Sequence, residues 1–172
     1  MSTARPEPWL RGPLPGIPAL LQPAAHAFIM SVEDCEAALH HLTDDQLWQE
    51  PGGAASVGFH LRHLSGATDR LLTYARGEAL DAAQKSALIA EGTPGSPPLT
   101  AAHLLREWRE GVDRALAQLA ATPESALMDF RGVGRAQLPS NVLGLLFHGA
   151  EHASRHTGQV VTTAKIVRGQ GR

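Results

Sequence analysis

Three of the nine histidines in this 172-residue sequence recur at a four-residue spacing near its C-terminus. Four residues make about one helical turn, so His148, His152 and His156 are predicted to lie along one side of a helix. Two imidazoles one turn apart can bind a single metal ion. His152 and His156 fall near the middle of the apolar stripe of this helix, whereas His148 falls towards its border. The pair His152 and His156 is therefore the stronger candidate for a metal site.

A metal site built on this pair needs at least one further protein ligand. An earlier predicted helix offers His60 and His63, and its periodicity slightly favours His60. The alternative is a metal-free core, because a buried histidine is more often a hydrogen-bonded residue than a ligand. Three neutral imidazoles would leave a coordination position open, as in catalytic sites. Zinc, nickel and iron all accept imidazole.

Other polar residues are weaker candidates. Glu151 points to a different side of the helix from His152, so a salt bridge is expected there rather than a catalytic role. Gln159 follows His156 by three residues and could support a ligand or contact substrate. The remaining histidines fall on polar faces and are expected at the surface: His26, His40, His41 and His103.

The elements that must position these histidines are predicted to be helices. Apolar residues recur at helical spacing over four long segments. These segments run from about residue 20 to 42, from a cap at Ser56 to 76, from a cap at Thr100 to 121, and from Pro139 or Ser140 to about 167. A short helix is predicted over residues 81–91 and an irregular connector over residues 123–138. This pattern predicts an all-α fold, specifically a four-helix bundle.

The N-terminal segment differs from the rest of the chain in its proline content. Five prolines within residues 1–19 disfavour a regular helix there. Its apolar side chains predict a proline-rich arm that packs across the body of the protein or across a partner subunit. Residues 20–172 are predicted to form one domain.

Composition and charge exclude several classes of protein. The net charge is −2 and the basic residues are scattered, whereas a nucleic-acid binder normally shows a basic patch. The single cysteine, Cys35, excludes a disulfide framework and falls in the apolar stripe of the first helix, where a buried, inert thiol is expected. No apolar run approaches the roughly 20 residues that span a bilayer, and no signal core is visible. We expect a soluble cytoplasmic protein without nucleic-acid or membrane partners.

Two segments resemble the DinB family of metal-binding helical bundles, which includes the YfiT-like proteins. The first is GFHLRHLSGA at residues 58–67, and the second is EHASRHTGQ at residues 151–159, which is similar to the family signature H-x-x-x-H-x-G-Q. The resemblance implies metal ligands at His63, His152 and His156. It favours His63 over His60 because the histidine that precedes a leucine and then small and acidic residues matches at His63.

The same resemblance implies a fold, cofactors and partners. The fold would be an up-down-down-up four-helix bundle, and many members of the family form dimers, so a homodimer is expected. Some relatives are thiol-dependent transferases or isomerases that use bacillithiol or mycothiol, and others are assigned as metal-dependent hydrolases. We therefore expect a metal-dependent enzyme acting on a small-molecule substrate, either an S-transferase that uses a low-molecular-weight thiol or a hydrolase. Zinc is the first candidate metal, with nickel and iron as alternatives.

A function without turnover is the main alternative to an enzyme. The protein would then be a metal-binding or stress-response module that works through its dimer surface. An open fourth coordination position would favour the enzyme, whereas a fourth protein ligand would favour the module.

Overall fold

The computed structural model describes residues 5–169, and most of these residues are helical. The α-helices are α1 (Gln22–Leu39), α2 (Asp44–Leu47), α3 (Val57–Ala75), α4 (Ala82–Ala90), α5 (Ala101–Ala121) and α6 (Val142–Gly169). Short 3-10 helices lie at Pro8–Leu10, Ala19–Leu21, Pro51–Gly53 and Glu124–Ala126. Strands β1 (Phe130–Val133) and β2 (Leu138–Asn141) form an antiparallel pair.

Side-chain caps define where two of the long helices begin. The Ser56 hydroxyl accepts a hydrogen bond from the Phe59 N–H at 3.1 Å, at the start of α3. The Thr100 hydroxyl accepts one from the His103 N–H at 3.2 Å, at the start of α5. Each bond satisfies an N–H group that has no partner within its own helix. Both predicted caps are confirmed.

The long helices α1, α3, α5 and α6 share one apolar core. α6 contacts α1 and α3, and α5 contacts the same two helices. The rings of Phe28 in α1 and Trp108 in α5 are fully buried, with centroids 6.4 Å apart. Cys35 is also fully buried, as predicted, and burial raises the pKa of its thiol to about 12. A mostly helical fold is confirmed, whereas the up-down-down-up four-helix bundle remains a prediction.

A small β-sheet lies where the sequence predicted an irregular connector and the start of the last helix. Pro139 and Ser140, the two predicted starting residues, belong to β2, where Pro139 pairs with Gly132 of β1. Proline is tolerated both at the first position of a helix and in an edge strand, because neither place requires its missing N–H. The all-α prediction is therefore corrected to a mostly helical fold with one two-stranded sheet.

The hairpin leads directly into α6 and fixes its first turn. The Val142 N–H donates to the Asp129 carbonyl at 3.1 Å. The Asn141 side-chain oxygen accepts a hydrogen bond from the Gly144 N–H at 2.7 Å, which is the geometry of an N-cap. The helix that carries two of the candidate histidines is therefore anchored by Asn141 and by the preceding strand pair.

The proline-rich segment packs on α1 over residues 5–19. The Arg11 guanidinium donates two hydrogen bonds to the Glu33 carboxylate, at 2.6 and 2.7 Å. These bonds hold the pKa of Glu33 below its usual range. The Gln22 side chain accepts from the Leu14 N–H at 2.8 Å and donates to the Leu14 carbonyl at 2.9 Å. This part of the arm therefore packs on the body of the protein.

The predicted division of the chain into an arm over residues 1–19 and a domain over residues 20–172 stays a prediction. Residues 1–4 and 170–172 lie outside the described part of the chain. Within residues 5–169, no helix is both long and apolar enough to cross a membrane.

Close packing at Gly58 yields a test of the fold. The Trp48 indole lies against α3 there, and its N–H donates to the Leu99 carbonyl at 3.0 Å. A Cβ atom at Gly58 would lie 2.7 Å from the indole ring carbons. We expect Gly58→Ala to lower the free energy of unfolding by about 1–3 kcal/mol, because the overpacked ring must shift. Urea denaturation followed by circular dichroism measures this change.

Gly158→Ala is the matched control. Gly158 is an exposed position within α6, where a Cβ atom would meet nothing within 4 Å. This substitution should raise the free energy of unfolding by up to about 1 kcal/mol, because alanine favours the helix over glycine. Equal effects of the two substitutions would contradict close packing between Trp48 and α3.

Candidate metal centre

α3 and α6 bring three of the predicted residues together. His63 lies on α3, and His152 and His156 lie one turn apart on α6. One nitrogen from each ring lies within 4.8 Å of the others. The ring centroids of His63 and His156 are 4.4 Å apart, and those of His152 and His156 are 4.5 Å apart. The three rings are only partly buried, so the group faces the surface.

The spacing of the ring nitrogens suits a small divalent cation. His63 Nε2 and His152 Nε2 face each other at 2.9 Å. Two nitrogens bound to one tetrahedral zinc ion at the usual bond length lie about 3.3 Å apart. The two rings would therefore need only a small adjustment to share an ion. Three imidazole nitrogens form a donor set that zinc, nickel and iron accept.

Burial keeps the rings of His60, His152 and His156 uncharged. Burial, followed by the charge of His63, lowers the pKa of His156 to about 4. The same two causes, in the same order, lower the pKa of His152 and of His60. These three rings are therefore neutral at physiological pH, and a neutral imidazole is the form that binds a metal ion.

His60, the other candidate on α3, lies beside the group rather than in it. Its Nδ1 is 3.1 Å from Nδ1 of His156, and the residue is only 7% exposed. Periodicity was right that His60 is the more buried of the two α3 histidines. The structure nevertheless groups His63, and not His60, with His152 and His156.

Glu91, which no sequence pattern singled out, lies directly behind His63. It follows the last turn of α4 and is 5% exposed. Its Oε2 atom lies 2.7 Å from His63 Nδ1, and its Oε1 atom accepts a hydrogen bond from Arg70 at 2.7 Å. Burial acts to raise the pKa of Glu91, but the bonds from His63 and Arg70 outweigh it and hold this pKa below its usual range. A buried, ionised carboxylate therefore supports the His63 ring.

Gly66 provides the space that Glu91 needs. A Cβ atom at this position would collide with the Glu91 carboxylate and would lie 2.8 Å from the Arg70 guanidinium. A glycine inside a helix often marks the close approach of another group. Gly66, which lies in the motif at residues 58–67, was therefore the available signal that another chemical group approaches α3.

The remaining candidates lie outside the group. His148, whose side chain is 49% exposed, lies 3.2 Å from Glu151, and Glu151 also pairs with Arg155, so the predicted salt bridge is confirmed. Gln159 is exposed and forms no hydrogen bond with the described residues. Four other histidines within residues 5–169 do not join the group: His26, His40, His41 and His103.

Comparison with known proteins agrees with this fold. A crystal structure of a conserved protein from Enterococcus faecalis matches with a TM-score of 0.67 and 17% identity, over 87% of this chain and 97% of that chain. A crystal structure of a DinB-like protein from Bacillus cereus matches with a TM-score of 0.61 and 16% identity, over 83% of this chain and 89% of that chain. At these identities the likeness shows the fold alone. None of the curated proteins matches the sequence.

The sequence itself matches a family model over most of its length. The match covers residues 21–160, which include all of the helices α1 to α5 and the part of α6 that holds His152 and His156. The chain belongs to the DinB superfamily.

Proposed function

We propose that the protein binds one divalent metal ion through His63, His152 and His156 and uses it in a reaction on a small molecule. The observation that carries this proposal is the convergence of three imidazole nitrogens at the surface between α3 and α6. No fourth His, Cys, Asp or Glu within residues 5–169 belongs to that group. Three protein ligands leave a coordination position for substrate or water, which is typical of catalytic sites. Zinc is the first candidate, with nickel and iron as alternatives.

Neighbouring residues orient the three histidine ligands. When bound, a divalent cation lowers the pKa of a thiol or water and so supplies a nucleophile at neutral pH. Glu91 holds the Nδ1 side of His63, so that Nε2 of this ring faces His152. The Phe59 ring stacks on His63 at a centroid distance of 5.5 Å and an interplanar angle of 12°. The α6 backbone fixes the one-turn spacing between His152 and His156.

The proposed reaction is transfer of a low-molecular-weight thiol, with hydrolysis as the second candidate. This preference rests on the thiol-dependent enzymes among DinB-like proteins. In the transfer, a bond forms between the thiol sulfur and an electrophilic carbon, and the bond from that carbon to the leaving group breaks. The leaving group takes the bonding electron pair, and the thiol proton passes to solvent. In hydrolysis, water replaces the thiol.

The proposal extends to the assembly and its compartment. We propose an up-down-down-up four-helix bundle that forms a homodimer. Large exposed apolar side chains just before the hairpin, on its strands and in the first turns of α6 support a contact surface: Met128, Phe130, Leu138 and Phe147. A cytoplasmic location is proposed because the chain has a single, buried cysteine and so lacks the disulfides common in oxidising compartments.

Removal of one α6 histidine tests the metal site. Untagged wild-type protein is expected to carry about one metal ion per chain by mass spectrometry of its metal content. His152→Ala should lower that content to less than about a tenth, because the two remaining imidazoles bind an ion weakly. Full metal content in His152→Ala, or a content far below one ion per chain in wild type, would refute the site.

Two further substitutions make this test specific. His148→Ala changes an exposed histidine one turn earlier on the same helix and should leave the metal content unchanged. His63→Ala should lose the metal, whereas His60→Ala should retain it when metal is supplied at saturation. The reverse result would identify His60 as the α3 ligand.

Thiol transfer is tested with zinc-loaded protein. Incubation with bacillithiol or mycothiol and the electrophile chlorodinitrobenzene should release chloride and form the thioether, followed by absorbance. The rate should fall at least about 100-fold in His152→Ala and remain unchanged in His148→Ala. Ester hydrolysis without any dependence on thiol would indicate the hydrolase. Stoichiometric metal without turnover of either kind would support the non-catalytic module.

A further inference from the structure

The ring of His63 is held from behind by a buried carboxylate that the proposed reaction does not itself require. We propose that Glu91 is a positioning residue that fixes His63 in the tautomer with its proton on Nδ1 and its lone pair on Nε2. This inference rests on the metal site proposed above, and it gives Glu91 a role that metal binding depends on.

The hydrogen-bonding capacity of Glu91 determines the tautomer. An ionised carboxylate can only accept hydrogen bonds, so a 2.7 Å contact with His63 Nδ1 requires the proton to lie on that nitrogen. With that proton on Nδ1, the neutral form of the ring has its lone pair on Nε2, the atom that faces His152 at 2.9 Å. Metal-binding histidines commonly donate their other ring N–H to a carboxylate in this way.

Arg70 prevents Glu91 from taking up another arrangement. Its guanidinium donates to Oε1 at 2.7 Å, which leaves Oε2 for His63. The Arg70 and Glu91 side chains are 11% and 6% exposed, so water competes little for these bonds. The carboxylate is therefore held in one orientation between a cation and an imidazole.

His152 provides a contrast within the same group. Its Nδ1 atom is buried and has no hydrogen-bond partner among the described residues. Its Nε2 atom faces the lone pair of His63 Nε2, so in the metal-free protein His152 carries its proton on Nε2. The two facing rings should therefore be opposite tautomers before metal binds. On metal binding, His152 should change its tautomer, whereas His63 should keep its own.

The tautomers can be measured without any metal. Imidazole nitrogen–proton correlation NMR of the metal-free wild-type protein, at a pH where the rings are neutral, should show His63 protonated on Nδ1 and His152 on Nε2. An Nε2-protonated His63 would overturn the inference, whether or not the protein binds a metal. This measurement needs no substitution, so a variant that fails to fold does not affect it.

Glu91→Gln tests the consequence for metal affinity. Arg70 still needs an acceptor, so the new amide oxygen should turn towards Arg70 and its NH₂ group towards His63 Nδ1. His63 must then accept at Nδ1 and carry its proton on Nε2, where it opposes metal binding. We expect the zinc dissociation constant, from competition with a chromophoric chelator, to rise about 10- to 100-fold.

Glu110→Gln is the matched control. Glu110 is an exposed residue that lines the same cavity as Glu91, and it forms no hydrogen bond with the described residues. The same loss of charge at this position should change zinc affinity less than about twofold, because long-range effects on an exposed group are screened. Equal effects of the two substitutions would overturn the inference, since charge alone would then explain them.

Arg70→Met combined with Glu91→Gln provides a rescue. Without the guanidinium, the amide can turn its oxygen to His63, so the Nδ1 proton and part of the zinc affinity should return. No recovery in a folded double variant would overturn the proposed role of amide orientation. Failure of wild-type protein to bind zinc would instead refute the proposed function, while the wild-type tautomers would still decide the role of Glu91.

Discussion

A buried imidazole ring must find a partner for each of its nitrogens, and this requirement governs the contact between α3 and α6. An unsatisfied buried polar group costs about 1–3 kcal/mol, so four histidines at one helix contact would destabilise the fold without a shared solution. The rings contact each other in pairs within hydrogen-bonding distance: His60 faces His156, and His63 faces His152. Glu91 contacts the opposite side of the His63 ring. Among these four rings within the described residues, the buried nitrogen left without a partner is Nδ1 of His152, so part of that cost remains at this site.

Much of the fold could be predicted because its long helices carry strong local signals. Apolar periodicity and the caps at Ser56 and Thr100 placed α3 and α5 to within a residue or two. The hairpin could not be predicted in the same way, because its stability comes from pairing across the turn and not from an alternating pattern. Pro139 was misleading for a physical reason, since a helix start and an edge strand tolerate the same missing donor.

Some residues of the candidate site are likewise predictable from local sequence patterns, whereas others come together only through long-range contacts. The spacing of His152 and His156 is visible in the sequence because a helix converts four residues into one turn. The choice between His60 and His63 depends on how α3 faces α6, which periodicity within one helix does not record. Periodicity therefore favoured His60, the more buried ring. Glu91 lies 28 positions from His63 and joins it only through tertiary packing, which no local pattern records.

Gly66 shows that α3 gives up local stability so that the Glu91 carboxylate can approach His63. It lies inside α3, where glycine costs roughly 0.5–1 kcal/mol relative to alanine. An alanine there would favour the helix, but its methyl group would occupy the space that the Glu91 carboxylate fills. Alanine would stabilise the helix at this position, but it would displace the Glu91 carboxylate that supports His63. Efforts to make this protein more thermostable by replacing helical glycines should leave this one in place.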